Sequence, residues 1–312
     1  MKICYLIQTH KNPEQIYRLI RTIKNASSNS TIIISHDNRN CQLDLAPLAE
    51  FNQIHLFIHH GGRGDFSMVQ SYLDTVKWLR ENKISFDWLI NLTGQDYPIK
   101  PIPQIEHFLA NTNYDGFLEY FPVISTESQW SIQEGYSRYF FQYQQISQQV
   151  SSTQQKILKP LKIINYLQPL VRINFSYDIR YGIKKNNPFN QDFLCYGGSF
   201  FCTLSQKCVQ YLDEYTQKNP KFVAYYHQVS VPVESFIQTI LINSKSFNLA
   251  NDCKRYFDFT NSRDGSPCLL NTSYYESLKE SQAHFARKLD LAQDRKIFDL
   301  IDENFLATAN LT

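Results

Sequence analysis

Short apolar runs recur along the first third of the chain, and each is followed by a stretch with apolar residues at helical spacing. Residues 2–8 form an almost continuous apolar run, the pattern of a parallel strand buried on both faces. After the polar turn Thr9-His10-Lys11-Asn12, Pro13 opens a segment in which Ile16, Leu19, Ile20 and Ile23 predict a helix over 13–23. Further strands are predicted at 31–35, 54–58, 87–92 and 116–121 (GFLEYF). Helices are predicted at 68–80, with Ser67 as the N-cap, and at 102–110. Strands alternating with helices predict an α/β fold, with a mostly parallel central sheet flanked by helices and a crevice of nucleotide size.

Polar residues collect where these strands end, the edge at which open α/β sheets bind ligands. His36-Asp37 follows the second strand, where Asp37 could take a ribose hydroxyl or simply close a turn. His59-His60-Gly61-Gly62-Arg63-Gly64-Asp65 follows the third and could cradle a phosphate or a sugar with backbone amides. It has neither the Walker nor the GxGxxG spacing. Asp96 follows the fourth.

Beyond residue 121 the pattern loosens. Residues 142–155 are rich in Gln and Ser and read as a mobile segment. Residues 156–172 mix Lys156, Lys159, Lys162 and Arg172 with Ile157, Leu158, Leu161, Ile163, Ile164, Leu167 and Leu170. Such a basic amphipathic stretch packs on its own domain or touches an anionic membrane surface. Periodicity returns at 195–241. Gly197-Gly198 mark a close backbone approach, 199–204 a strand, and Ser205 the cap of a helix over 206–215. Pro232 then starts a second helix with Glu234 in its first turn, ahead of Phe236, Ile237, Ile240 and Leu241. A carboxylate there is favoured by the helix dipole and stays ionised, as a general base must. The alternative is a Glu that only stabilises the helix. Residues 254–259 form a last strand-like run, and Arg263, Arg287 and Lys288 add late positive charge.

Composition narrows the choice of partner. The 312 residues fit one α/β domain, with a regular first part (1–120), a loosely patterned middle (121–190) and a last part where periodicity returns (191–312). Hydrophobic residues at 43% allow a large core, and aromatic residues at 14% suit stacking on carbohydrate or bases. A net charge of +2 implies no nucleic-acid partner. Seven scattered Cys make neither a disulfide framework nor a zinc pattern, which fits a reducing compartment. No signal-peptide pattern and no apolar run of spanning length are present, so a cytoplasmic protein is expected.

Several blocks together resemble one family. They are YLIQTHKNPEQIYRLI, ISHDN, GGRGDFSMVQSYLDTVKWL, FDWLINLTGQDYPIK, YGGSFFCTLS, VPVESFIQTIL and HFARKLD, in that order. They resemble motifs of the core-2/I-branching β-1,6-N-acetylglucosaminyltransferases and peptide O-xylosyltransferases, which share glycosyltransferase family 14. FDWLINLTGQDYPIK is similar to the family's Leu-Ser-Gly-x-Asp-Tyr-Pro-Ile signature, with Thr93 for Ser. The resemblance covers most of the chain outside roughly 120–190.

It implies a GT-A-like, Rossmann-type fold and inverting transfer from a UDP-sugar to a glycan or lipid-linked acceptor, without a divalent metal. No Asp-x-Asp motif stands at a strand end in the first half. By matching position, Glu234 is the catalytic base. Lys288 and Arg263 neutralise the diphosphate, with Arg255 in reserve. His10, Asp37, Gly62, Ser67, Gln70 and Asp96 line the donor site. Glu134, Arg138, Gly198, Ser199 and Phe259 fall to the acceptor side, with Phe259 where relatives carry Trp. Val233 replaces the usual Asp before the base. The donor could be UDP-N-acetylglucosamine or UDP-xylose. A binding protein without turnover is the alternative from another class. A nucleotidyltransferase would want paired metal-binding carboxylates, which the sequence does not offer.

Overall fold

The computed structural model describes residues 1–62, 64–147, 160, 165, 169–174, 179–260, 262 and 265–306. Its core is a seven-stranded sheet. Four strands come from the periodic first third: β1 (Ile3–Thr9), β2 (Thr31–His36), β3 (Ile54–Ile58) and β4 (Trp88–Thr93). The order across the sheet is Leu249–Asn251, Gly116–Leu118, Cys202–Ser205, β4, β1, β2, β3. β1 pairs in parallel with both β2 and β4, and every residue of β1 is buried. That explains the apolar run at residues 3–7. Cys202–Ser205 runs antiparallel between β4 and Gly116–Leu118. The sheet is thus mostly parallel, and the fold is the mixed α/β one that the alternation predicts.

Helices cover both faces. α1 (Pro13–Ala26) sets Ile16, Leu19, Ile20 and Ile23 into a core shared with α3 (Ile102–Asn111) and the helix Arg295–Ile301. α2 (Ser67–Glu81) packs on the opposite face with the helices Gln206–Lys218 and Phe236–Ser244. α1 and α2 lie on opposite faces because β1 to β2 and β3 to β4 cross the sheet in opposite directions with one hand, while α3 joins α1 on its face. The chain runs outward from β1 to β3 and then returns to β4 on the other flank of β1. The strand order thus reverses between β1 and β4, and at such a point a crevice opens beyond the C-terminal edge of the sheet.

Several boundaries differ from the sequence pattern. The run 116–121 is two strands, Gly116–Leu118 and Phe121–Pro122, and the second pairs with Tyr196–Gly197. The strand expected from 199 begins at Cys202, because Gly197-Gly198 divert the chain first. Only Arg255–Tyr256 is strand within 254–259. Ser67 is the first residue of α2, not its cap. Ser205 does stand at a cap position, but its side chain makes no capping bond. The helix expected from Pro232 is broken in two. Pro232–Glu234 is a single 3-10 turn, and the α-helix starts at Phe236 after Ser235, which is far from helical geometry (φ −148°). Residues 142–147 of the Gln/Ser-rich segment fall in the strand Phe141–Ser147, in a small antiparallel sheet with Ile179–Lys184 and Val171–Asn174. The rest of that segment, and most of 156–172, lies outside the described residues.

Candidate active site

A cleft of about 1020 Å3 opens at the C-terminal edge of the sheet. That is at the top of the usual range for a single small-molecule site, roughly 300–1,000 Å3, and leaves room for two ligands. The ends of the parallel strands supply one set of lining residues: Thr9 to Asn12 after β1, Asp37 and Arg39 after β2, the glycine loop after β3, and Thr93 to Gln95 after β4. The other set comes from α4 (Ile132–Tyr139) and from Gly198, Ser199, Val231, Val233 and Glu234. Residues from 257 to 288 close it, among them Phe259, Arg287 and Lys288.

Asp37 faces the cleft with its carboxylate gripped by Arg39, whose Nε stands 2.9 Å from Oδ1. This bonding, against an opposing effect of burial, holds the Asp37 carboxyl down at about 2. Arg39 is itself 56% exposed and also reaches the Gly61 carbonyl, so the pair ties the end of β2 to the glycine loop. Within that loop Gly62 donates its N–H to Ser67 Oγ at 2.6 Å. A Cβ on Gly62 would meet the Asp65 carboxylate at 1.8 Å, so a side chain here would displace Asp65. Ser67 thus folds the loop and does not line the cleft. Gln70 lies along α2 and donates to Asp74 Oδ1 at 2.8 Å; it too is outside the lining. His10 does line the cleft, and burial followed by the neighbouring Lys11 lowers its pKa.

Asp96 and Arg255 stand beneath the floor. Asp96 is fully buried, and its Oδ2 accepts from Thr93 Oγ1 at 2.6 Å and from Arg287 Nη1 at 3.4 Å. Arg255 donates to the Asn91 carbonyl at 2.9 Å and stacks on Phe285 with its guanidinium carbon 4.7 Å from the ring centroid. Arg287 is the cation that Asp96 supports. It lies over the Phe201 ring at 4.1 Å and lines the cleft beside Lys288. The sequence pattern named Arg287 only as late charge; its adjacency to Lys288 was the available signal. Arg263 lies outside the described residues.

Glu234 projects from the 3-10 turn into the other part of the cleft, with its side chain 35% exposed. Arg138 Nη1 donates to its Oε2 at 2.6 Å, and Nη2 reaches Glu134. Arg138 lies over Trp130 at 4.4 Å, which fixes the plane of the guanidinium. Burial raises the Glu234 carboxyl above its ordinary value, and Arg138 opposes that rise. Glu234 sits in a separate 3-10 turn ahead of the α-helix Phe236–Ser244, so burial and Arg138, not the helix dipole expected from the sequence, are the main influences on its charge. The backbone of Glu234 is fixed from both sides. Its N–H donates to the Val231 carbonyl at 3.2 Å, and its carbonyl accepts from Gly198 N–H at 2.9 Å. A Cβ on Gly198 would stand 1.9 Å from the Glu119 carbonyl, so the close approach foreseen at this glycine is real. Ser199 is held through its carbonyl by Gln238 Nε2 at 2.5 Å. Phe259 is 51% exposed at the cleft. Trp130 lines it as well and had no signal in the sequence beyond being one of three Trp.

The cleft thus lies at the C-terminal edge of the parallel strands, where open α/β sheets bind ligands, with a carboxylate and a pair of cations on its wall. Residues 3–283 match the family model of the Core-2/I-branching enzymes, and the chain belongs to that family of glycosyltransferases. The family implies a nucleotide-sugar donor and a glycan acceptor. No curated protein sequence matches the chain significantly. Among solved structures, HddC from Yersinia pseudotuberculosis aligns at 12% identity over 69% of this chain and 80% of that one, with a TM-score of 0.30. So loose a superposition carries no argument about the site. No described helix is long and apolar enough to cross a membrane, and no three His, Cys, Asp or Glu among the described residues come together as metal ligands.

Proposed function

We propose that this chain is an inverting glycosyltransferase that moves a sugar, N-acetylglucosamine in β-1,6 linkage, from its UDP derivative to a hydroxyl of a glycan or lipid-linked glycan. The observation that carries the reading is that one cleft is lined both by Glu234 and by the Arg287-Lys288 pair. Glu234 takes the proton of the acceptor hydroxyl. The acceptor oxygen bonds to the anomeric carbon as the bond from that carbon to the diphosphate breaks. The electron pair leaves on the β-phosphate, and inversion follows from attack on the opposite face. Arg287 and Lys288, with Arg263, neutralise that charge in place of a divalent metal. The raised Glu234 carboxyl favours the reading, because a stronger base accepts a proton more readily near neutral pH. Asp37, already negative and steered by Arg39, binds the ribose. UDP-xylose is the alternative donor.

The test is a panel of UDP-sugars scored by thermal stabilisation, then turnover of the best donor by wild type and Glu234→Gln, with and without EDTA. Glu234→Gln is expected to lose about 10²–10⁴-fold in turnover while binding UDP as before. Turnover within a few-fold of wild type removes Glu234 from the mechanism. Loss of wild-type activity in EDTA, restored by manganese, overturns the metal-free reading.

A further inference from the structure

Val231 is the one β-branched residue with a positive φ among the described residues, at φ 53° and ψ 53°. Three features make that conformation costly. The left-handed region crowds any Cβ, a β-branched side chain is worse, and the following Pro232 restricts its predecessor to extended geometry. Strain of this kind persists only where surrounding contacts over-determine it. The contacts here are specific. Val231 N–H donates to the Gly64 carbonyl at 3.1 Å, in the glycine loop. The Val231 carbonyl accepts from Tyr139 Oη at 3.1 Å and also from Glu234 N–H at 3.2 Å. Tyr139 is fully buried, and its own carbonyl accepts from Tyr225 Oη at 2.6 Å. One residue earlier, the Arg138 carbonyl accepts from Ser230 N–H at 3.0 Å. The end of α4 therefore holds the turn through its backbone and through a buried hydroxyl one hydrogen bond from the Glu234 backbone.

We infer that Tyr139 is a positioning residue: its hydroxyl keeps Val231 left-handed, and this aims the Glu234 carboxylate into the cleft and fixes it to the glycine loop. The inference rests on Glu234 being the base. Without the hydroxyl, the turn is free to relax towards an ordinary extended Val231. Glu234 then moves, while the strand ends that bind the nucleotide stay where they are.

The experiment compares wild type, Tyr139→Phe, Val231→Gly, Val231→Ala and the double variant Tyr139→Phe/Val231→Gly, with Glu234→Gln as control. Tyr139→Phe is expected to lower kcat by about tenfold or more, with UDP affinity within twofold. It should also speed amide hydrogen exchange in 229–236 without affecting β1 and β4. Glycine adopts the left-handed conformation without penalty, so the double variant should recover to within about threefold of Val231→Gly alone. Val231→Gly should also melt above Val231→Ala, which loses the same branched methyls but keeps a Cβ in the left-handed region. That comparison needs no activity. If Glu234→Gln is dead while Tyr139→Phe shows wild-type kcat and exchange, Tyr139 does not position the base. A double variant as impaired as Tyr139→Phe, or Val231→Ala melting as high as Val231→Gly, also overturns the inference. An active Glu234→Gln fails the catalytic assignment instead.

Discussion

At Glu234 two opposing influences meet on one carboxylate. Burial destabilises its charged form, and Arg138 at 2.6 Å stabilises it. The net rise sets a visible limit, because the protonated acid cannot accept a proton. The acid limb of a kcat/KM profile is therefore expected above the ordinary Glu value of 4.5. Arg138→Met removes the stabilising cation and should move that limb further up, by about 1–3 pH units. A limb that stays put would mean that Arg138 serves only the acceptor or the stacking on Trp130. Sequence reasoning found both residues, one by its place after Pro232 and one by resemblance. Their pairing was not legible, since 96 positions separate them.

At the scale of elements, the turn 232–234 and the segment 197–199 act as a unit. The bond from Gly198 N–H to the Glu234 carbonyl needs the two backbones close, and Glu119 closes the other side. Gly198→Ala would push a Cβ into a backbone carbonyl that has no side-chain freedom to yield. It is expected to cost about 1–3 kcal/mol of stability in urea unfolding and to lower turnover as Glu234 shifts. A variant of wild-type stability and turnover would show that the strand pair Phe121–Pro122 and Tyr196–Gly197 opens easily. Gly-Gly in the sequence signalled the approach but not its partner. The break between Pro232–Glu234 and Phe236–Ser244 left no sequence signal, because Ser235 in an apolar run reads as ordinary helix.

Over the whole molecule, His284 links the site's underside to acid stability. It is buried against Phe108, and burial first, then Arg255 and Lys254, lowers its pKa to about 3. Between pH 6.5 and 3 the unfolded chain thus holds a proton here that the folded one refuses. Stability is complete above pH 6.5 and falls as pH drops through that window, with a slope approaching about 1.4 kcal/mol per pH unit. Urea unfolding at pH 7 and pH 5 should show this loss in wild type and a smaller one in His284→Phe. Equal losses would place the acid sensitivity elsewhere.

The sequence by itself determined the α/β class, the parallel strands β1 to β4 and the edge at which the cleft opens. Each rests on local periodicity, which a strand buried on both faces cannot hide. It also singled out Glu234 and Lys288 through short motifs, and both line the cleft. Only the tertiary structure decided which polar groups face the cleft. Asp96 and Arg255 went beneath the floor, Ser67 into the loop, and Arg287 onto Phe201. These outcomes depend on contacts between residues far apart in the chain, and no local pattern records on which side of a turn a charge will be desolvated.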